Sequence, residues 1–418
     1  MSSTTPASSS LPNRWVIAVA AFCMQLALGA VYAWSVFLNP VIKLYHTTKA
    51  PANLTFSITL LALGVTAGFG GYFNSRFGPR VIATAGGIFY GVGVLLAGFV
   101  APNLYLLYLT YGIIGGIGLG LGYIVALAML IKWFPDRRGF ITGLAVAGFG
   151  GGAAIIGPIA ANYMLPTSAL GLNNTFIVLG IAFLIIVVIA AQFFRTAPDG
   201  YAPAGWTPTA KLQDTRSVRE YTLGEALTSS KWYIQWLILA LNVTAGAALI
   251  SVASPLAQAS TGVAAGVAAV LVTTISIFNG AGRLFWGWIS DTIGRPMTFL
   301  SLFAIQVVTF ALIPLIGNFA ILIIPASIVG LCYGGGFGTM PAFAADFFGP
   351  KNAGTIYGAM LTAWSAGGIV GPILIASIDT KTALFIIAGI MLVSCALPLI
   401  ARVMARQEVA APAAAGGK

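Results

Sequence analysis

Two short stretches of this 418-residue chain share one pattern of glycines and charges. The first is GYFNSRFGPR at residues 71–80, and the second is GWISDTIGR at residues 287–295. In each stretch two glycines stand seven residues apart, and the second stretch begins 216 residues after the first. The stretches GGAAIIGP at 151–158 and AGGIVGP at 366–372 also match, with their last glycines 214 residues apart. One internal duplication explains both spacings, so the sequence predicts two similar halves.

The composition restricts the fold class. Hydrophobic residues make up 59% of the chain and charged residues only 7%, against about 25% charged residues in soluble domains. Apolar runs of 20 residues or more predict membrane helices rather than a membrane barrel. We therefore predict an all-α membrane protein with twelve transmembrane helices in two pseudo-symmetric six-helix bundles. The predicted spans lie near 15–38, 55–74, 80–100, 104–131, 138–165, 172–194, 232–257, 266–289, 297–317, 319–344, 352–377 and 382–403.

The predicted spans divide the chain into five regions. Residues 1–14 are a disordered cytoplasmic N-terminus, 15–194 the first bundle, 195–231 a cytoplasmic linker, 232–403 the second bundle and 404–418 a cytoplasmic tail. The linker is the one long polar segment between spans. We do not expect a cleaved signal peptide, because the first apolar run is long and keeps bulky residues where a cleavage site would stand.

The basic residues follow the membrane. The formal net charge is +11, and 16 of the 20 Lys and Arg residues fall on one side of the twelve-span arrangement. Lys43, Lys49 and Lys381 fall on the other side, and Arg283 lies inside a span. By the positive-inside rule the richer side, with both termini, is cytoplasmic. The partner that this charge indicates is therefore a lipid bilayer and not nucleic acid.

Cysteine and histidine give no sign of a metal or cofactor. Cys23, Cys332 and Cys395 lie in apolar spans at unrelated spacings, which is typical of packing residues. The single histidine, His46, falls in the outer loop after the first span. We interpret it as a solvated loop residue, with sensing of external pH as the alternative. The sequence predicts neither a metal site nor a cofactor.

The two repeated loops resemble the signature Gly-x-x-x-Asp-Arg-x-Gly-Arg of the major facilitator superfamily. The first copy has Ser75 at the position of the acid, and the second keeps Asp291 but has Thr292 at the position of the arginine. The resemblance implies two parallel six-helix halves of a secondary transporter. It also implies that these loops gate the cytoplasmic face, through Arg76, Gly78, Arg80, Asp291, Gly294 and Arg295.

Three further stretches resemble the oxalate/formate antiporter family, a bacterial branch related to the monocarboxylate transporters. They are GAVYAWS at 29–35, KWFPDRRG at 132–139 and NGAGRLFWG at 279–287. Together they cover the chain from its first helix to its eighth. The resemblance implies a multi-pass transporter, with no enzymatic activity, in the cytoplasmic membrane of a bacterium. We expect it to act as a monomer.

Arg283 is the ionisable side chain that the spans leave inside the membrane. A charge near the centre of a spanning helix costs about 2.5–3.5 kcal/mol even on lenient scales. Ser276 and Asn279 share its helix face. A guanidinium binds a carboxylate through two parallel hydrogen bonds, and Asn279 could order the same group. The resemblance supports Arg283 as the anion-binding charge. The alternative is that Arg283 extends to the cytoplasmic surface.

Other polar or aromatic residues near mid-span are weaker candidates for substrate contact. The resemblance implies that helices 1, 4, 7 and 10 line the pathway. For each residue, packing is the alternative role. The candidates are Gln25 and Tyr32 in the first span, Tyr123 in the fourth, Asn242 in the seventh, Tyr333 in the tenth and Trp364 in the eleventh.

Trp364 bears on the substrate. The resemblance places a lysine at this position in oxalate-exchanging relatives. One membrane cation suits one carboxylate, because a second charge would be buried without a partner. We therefore predict a carrier of monocarboxylates such as lactate, pyruvate or formate, with oxalate/formate antiport as the alternative.

The coupling ion is left open by the sequence. All nine acids fall in loops, tails or helix ends, so no carboxylate is placed for a proton relay within the membrane. Proton symport and anion exchange are both compatible with this pattern.

Other function classes lack their sequence features. A membrane enzyme would need a paired base and nucleophile or a metal cluster, and a receptor would need an output domain. A carrier for sugars or drugs is the remaining alternative.

Overall fold

The computed structural model describes residues 11–165, 171–198, 201–203 and 220–404. Within them, twelve helices are long and apolar enough to cross a membrane. We label them α1 (Arg14–Leu44), α2 (Lys49–Phe77), α3 (Pro79–Ala97), α4 (Leu104–Trp133), α5 (Phe140–Met164), α6 (Gly171–Gln192), α7 (Ser230–Thr261), α8 (Ala265–Ile293), α9 (Arg295–Leu315), α10 (Phe319–Phe348), α11 (Ala353–Ser377) and α12 (Thr380–Met404). The prediction of an all-α protein with twelve spans is confirmed.

Parts of the predicted regions lie outside the described residues. They are residues 1–10 of the N-terminal segment, residues 166–170 of the first bundle, residues 199–200 and 204–219 of the linker, and residues 405–418 of the tail. The described end of the linker contains a short helix, Leu223–Leu227. The division into bundles at 15–194 and 232–403 stays a prediction.

The two repeated loops have the same backbone. α2 and α8 each have 29 residues, and each ends at a glycine with a positive φ, 78° at Gly78 and 84° at Gly294. Side chains with a Cβ rarely adopt this conformation. The next helix starts at once in both copies, with Pro79 and Pro296 in the first turn, where proline needs no hydrogen-bond partner for its nitrogen. The glycine repeat in the sequence is therefore a repeated turn.

A glycine stripe in α10 sets the position of α8. Gly330, Gly334 and Gly338 stand one turn apart, and a Cβ on Gly334 or Gly338 would overlap the backbone carbonyl of Asn279 or Arg283. Small residues at helix contacts let two backbones approach closely in a membrane. The stripe therefore holds the polar face of α8 at a fixed depth beside α10.

The halves meet on the side opposite the repeated loops. We call the end with the repeated loops the basic side and the other end the opposite side. There Asn53 of α2 donates to Ser251 Oγ of α7 at 3.0 Å and to the Pro372 carbonyl of α11 at 3.1 Å. Lys49 Nζ donates to the Ile375 carbonyl and Thr380 Oγ1, both at 2.8 Å. These bonds close the opposite side with polar contacts.

Nearer the middle, α8 and α5 share an unusual contact. α5 is interrupted at Gly152, between helical segments Arg138–Gly151 and Ala153–Ile159. Ser276 Oγ donates to the Gly150 carbonyl at 2.8 Å and accepts from Ala154 N–H at 3.1 Å. In an unbroken α-helix those two backbone groups would bond each other. A hydroxyl from one half is thus inserted into a helix of the other half, a recognised cause of helix bending.

Candidate functional site

Arg283 lies fully inside the protein. Its side chain is 1% exposed, and Nε donates to Asn279 Oδ1 at 3.3 Å. The guanidinium carbon is 4.9 Å from the ring centre of Phe337 and 5.8 Å from that of Phe149, within the range of cation–π attraction. The side chain is held between an aromatic ring of each half and does not reach the basic surface.

Three donors at this point are left without partners. Both terminal nitrogens of Arg283 and Nδ2 of Asn279 are buried and have no hydrogen-bond partner among the described residues. A buried charge without hydrogen bonds is strongly unfavourable. The arrangement therefore suits a group that brings negative charge and acceptor atoms, and a carboxylate provides both.

Six aromatic side chains form one connected cluster beside the arginine. We call them the aromatic cage: Tyr32 of α1, Tyr123 of α4, Phe149 of α5, Tyr333 and Phe337 of α10, and Trp364 of α11. Neighbouring ring centres are 4.5–5.7 Å apart, within the range of favourable edge and offset contacts. The cage draws on helices from both halves, and two of its rings, Phe149 and Phe337, contact the guanidinium.

Hydroxyl and indole groups link the cage across the halves. Tyr32 Oη and Tyr333 Oη are hydrogen-bonded at 3.0 Å, and Trp364 Nε1 donates to Tyr333 Oη at 3.1 Å. Tyr333 therefore joins α1 of the first half to α11 of the second. The Tyr123 hydroxyl of α4 is buried and pairs with the Tyr357 hydroxyl of α11, a second link between the halves.

Helix interruptions accompany three of the cage residues. α1 tightens to a 3₁₀ turn at Ala30–Ala33, which contains Tyr32. α5 is interrupted at Gly152, three residues after Phe149, and α11 at Leu361, three residues before Trp364. Irregular backbone inside a membrane is tolerated where it is buried in protein or lines a cavity. The interruptions thus coincide with the level of the site.

Two buried amides support the cage from behind in matching positions. Gln25 of α1 donates to the Tyr123 carbonyl of α4 at 3.2 Å. Asn242 of α7 donates to the Tyr333 carbonyl of α10 at 3.3 Å and accepts from Gln306 of α9 at 3.1 Å. Each half therefore fixes its tyrosine-bearing helix through an amide. Gln25 is a predicted site residue, but its amide donates to the backbone carbonyl of Tyr123 and not into the cage.

The predicted gating residues pair within their own halves. Arg76 donates to Tyr72 of the same helix, and Arg80 donates to the Gln192 carbonyl of α6. In the second half, Arg295 bonds Asp291 at 2.6 Å, Asp346 at 3.1 Å, and Ser290. Gly78 and Gly294 form the two turns. The charges of the loops brace each half, and a gating role for them stays a prediction.

The basic side of the first half has a separate ion pair. Asp136, in the loop after α4, accepts from Arg14 Nη1 at 2.6 Å and Nη2 at 3.0 Å. This hydrogen bond from Arg14 lowers the pKa of the Asp136 carboxyl below its usual value. It ties the start of α1 to the loop between α4 and α5.

The sequence did not single out Phe149, Phe337 or Tyr357. Phe149 and Phe337 lie between glycines, at Gly148 and Gly150 and at Gly336 and Gly338, and this context could have indicated a ring in a narrow interface. The Tyr357 side chain of α11 is buried and interacts electrostatically with Tyr123 and Arg283. Its hydroxyl is the hydrogen-bond partner of the Tyr123 hydroxyl.

A small cavity adjoins Asn279. Its volume is about 10 Å³, close to the smallest space that holds a water molecule. It lies between Tyr32 of α1 and residues of α7 and α8. The cavity therefore sits between the halves. It lies closer than Arg283 to the end that we call the opposite side. In the described parts of the chain, no group of three or more His, Cys, Asp or Glu residues could hold a metal ion.

Comparison with known proteins gives sequence relatives and one fold. The chain is 30% identical over 399 residues to the oxalate:formate antiporter of Oxalobacter formigenes, covering 93% of this chain and 91% of that one. It is 26% identical over 388 residues to monocarboxylate transporter 11 of Mus musculus, covering 88% and 81%. A solved bacterial homolog of the human lysosomal transporter Spinster, inward-facing and unoccupied, superimposes with a TM-score of 0.70 at 15% identity, covering 95% and 97%.

A family profile matches over most of the chain. The sequence profile of the Major Facilitator Superfamily matches residues 17–372 and, in a second and overlapping match, residues 235–417. The twelve helices, from residue 17 onward, the repeated glycine turns and the residues of the site between the halves all lie within these two matches. The chain is a member of the Major Facilitator Superfamily.

Proposed function

We propose that this transporter moves small monocarboxylates, and that Arg283 binds the carboxylate. The observation that carries the proposal is a fully buried guanidinium whose two terminal nitrogens have no partner among the described residues. A carboxylate can accept both of those hydrogen bonds in parallel. Asn279 Nδ2, which is buried without a partner among the described residues, would complete its shell.

The cage favours one carboxylate at a time. Trp364, at the position where the resemblance places a lysine in oxalate-exchanging relatives, donates to Tyr333 and contributes no charge. Arg283 is the cation among the described residues that enters the cage. A second carboxylate would lack a counter-ion there, and an unpaired buried charge is unfavourable. The substrate class is therefore that of lactate, pyruvate and formate.

The path of transport follows from where the contacts lie. Inter-half hydrogen bonds close the opposite side at Asn53 and Lys49, and the cage itself is shared by both halves. Rocking of one half against the other around a fixed site is the mode of transport typical of such folds. We propose that the basic side is cytoplasmic, that the protein is a monomer in a bacterial cytoplasmic membrane, and that transport is proton symport or anion exchange.

A second candidate is oxalate/formate exchange. Its support is the 30% identity to a protein named as an oxalate:formate antiporter. The two functions make different demands on charge, since oxalate carries two carboxylates and the cage presents one guanidinium.

Uptake into proteoliposomes separates the candidates. Labelled lactate, pyruvate, formate, acetate and oxalate would each be offered with and without a pH gradient. We expect uptake of the monocarboxylates and little of oxalate, and an effect of the gradient would identify proton symport. Release of preloaded formate by external oxalate would instead support the exchange function. Failure of every carboxylate to enter would contradict both.

A further inference from the structure

The cavity beside Asn279 has one polar end and one apolar end. Three of its residues carry polar groups. Ser276 Oγ is used by the α5 backbone and Tyr32 Oη by Tyr333. Asn279 Nδ2 is buried and has no partner among the described residues, so it is the donor that remains for a ligand. The rest of the lining is aliphatic, from Ile250, Ala253, Val272 and Ile275.

The guanidinium and the cavity lie on the same part of α8. Side chains of a helix lean towards its N-terminus, so the Arg283 head group lies back over the preceding turn. The hydrogen bond from Arg283 Nε to Asn279 Oδ1 shows this direction. Asn279 therefore touches the arginine on one side and the cavity on the other. A molecule bound to both Arg283 and Asn279 by its carboxylate would direct the remainder of its chain towards the aliphatic lining.

We propose that Ile250, Ala253, Val272 and Ile275 form an apolar subsite for the alkyl group of a short monocarboxylate of two to four carbons. The proposal rests on the function proposed above and deepens it, because it selects acids with an alkyl group over formate. All four side chains are at most 3% exposed, so an alkyl group there would leave water completely. Each buried methylene favours binding about fourfold, equivalent to about 0.8 kcal/mol.

In this conformation the subsite has a volume of only about 10 Å³, so an alkyl group would enter it when the halves separate. Three of the four residues are β-branched, and such side chains have few accessible rotamers. Among the described lining residues, Tyr32 alone comes from the first half. When the halves separate, Tyr32 moves away and opens the subsite, while the β-branched side chains keep the other walls in place. Affinity should therefore rise from formate to acetate and propionate, and fall again once the chain exceeds about four carbons.

The test is competition by straight-chain acids of one to six carbons against uptake of labelled lactate in proteoliposomes. Val272→Ala enlarges the subsite and should shift the best competitor by one or two carbons, with about a fourfold rise in the preference for butyrate over acetate. Ala253→Leu narrows the subsite and should shift the best competitor towards acetate and formate. Val270→Ala is the matched control, since Val270 lies two residues away and is 44% exposed on the outer face.

The outcomes separate this proposal from the function on which it rests. Wild-type protein that takes up lactate, with an unchanged competition profile in Val272→Ala and in folded Ala253→Leu, would overturn the subsite alone and assign the cavity to water. Wild-type protein that takes up no monocarboxylate would overturn the proposed function and the subsite together. A thermal-shift assay establishes folding of each variant, and Val272→Ala keeps the test decisive if Ala253→Leu does not fold.

Discussion

A single arginine is the centre of the function proposed for this protein. Arg283 is buried with its charge, and the contacts that compensate for this are one amide oxygen and two aromatic faces. Aromatic faces attract a cation without satisfying its N–H donors. The guanidinium is therefore held in place while its two terminal nitrogens stay available. In the proposed function these two nitrogens bind the carboxylate while the aromatic contacts keep the guanidinium in position.

Tyr333 is the residue on which the cage depends most. Its hydroxyl is shared by Tyr32 and Trp364, so Tyr333→Phe leaves two buried donors unpaired and keeps the ring. Each unpaired group costs about 1–3 kcal/mol. We expect a clearly lower unfolding temperature in a thermal-shift assay.

Tyr105→Phe is the matched control, because Tyr105 is 81% exposed, and it should not change the unfolding temperature. Equal stability of the two variants would show that the shared hydroxyl contributes nothing to the cage.

The glycine stripe of α10 sets the distance between two whole helices, α8 and α10. Gly334 and Gly338 lie against the carbonyls of Asn279 and Arg283, so the depth of the binding residues depends on two positions without side chains. The cage helices also carry their interruptions at this level. Backbone packing therefore sets where α8, and with it Arg283, stands beside α10.

Gly338→Ala tests this dependence. The added Cβ would overlap the Arg283 carbonyl, so α8 has to move away from α10, and overpacking of this kind costs about 1–3 kcal/mol. We expect uptake of labelled lactate to fall about tenfold or more in protein that still inserts into the membrane.

Gly389→Ala in α12 is the control, since no atom lies within 4 Å of a Cβ built there. Alanine also favours a helix by about 1 kcal/mol relative to glycine, so this variant should be at least as stable as the wild type. Full activity in Gly338→Ala would contradict the role given to the stripe.

For the whole molecule, the contact between the halves is polar at two levels. Asn53 and Lys49 close the opposite side, and Ser276 enters α5 near the middle. The Ser276 hydroxyl thus ties α8 to α5 in this arrangement of the halves, and it takes the place of the Gly150–Ala154 hydrogen bond that α5 lacks there.

Ser276→Ala should expose this contact in hydrogen exchange. Without the hydroxyl, Ala154 N–H loses its partner, and an unpaired buried group costs about 1–3 kcal/mol, or roughly tenfold in local opening. We expect faster exchange in peptides that span residues 150–158. Ser301→Ala should leave exchange unchanged there, because Ser301 bonds the Met297 carbonyl of its own helix. Identical exchange in both variants would contradict the insertion.

The fold could be predicted from the sequence because its signals are local. Apolar runs gave the twelve spans, and the glycine spacing gave the repeated turns. The spans end differently where polar residues find partners far along the chain. We predicted that the second span begins near residue 55, but α2 begins at Lys49, because Lys49 and Asn53 are satisfied by α11 and α7.

The candidate site could be predicted only in part. Arg283 and Asn279 stood out because charge and amide groups are rare in apolar helices. Phe149 and Phe337 did not, since a phenylalanine in a membrane helix is indistinguishable from a lipid-facing one until the helices are packed. The partners of the loop charges also depend on tertiary contacts, as Arg80 with the Gln192 carbonyl shows.

The central claim is that Arg283 binds a substrate carboxylate through its planar fork, and the direct measurement is lactate uptake by Arg283→Lys in proteoliposomes. Lysine keeps the charge but cannot form two parallel hydrogen bonds. Loss of one bond to a charged group costs about 1.5–3 kcal/mol, so we predict uptake lower by about tenfold to a hundredfold. The exposed Arg402 provides the control, Arg402→Lys, with normal uptake. Normal uptake by folded Arg283→Lys would contradict the account.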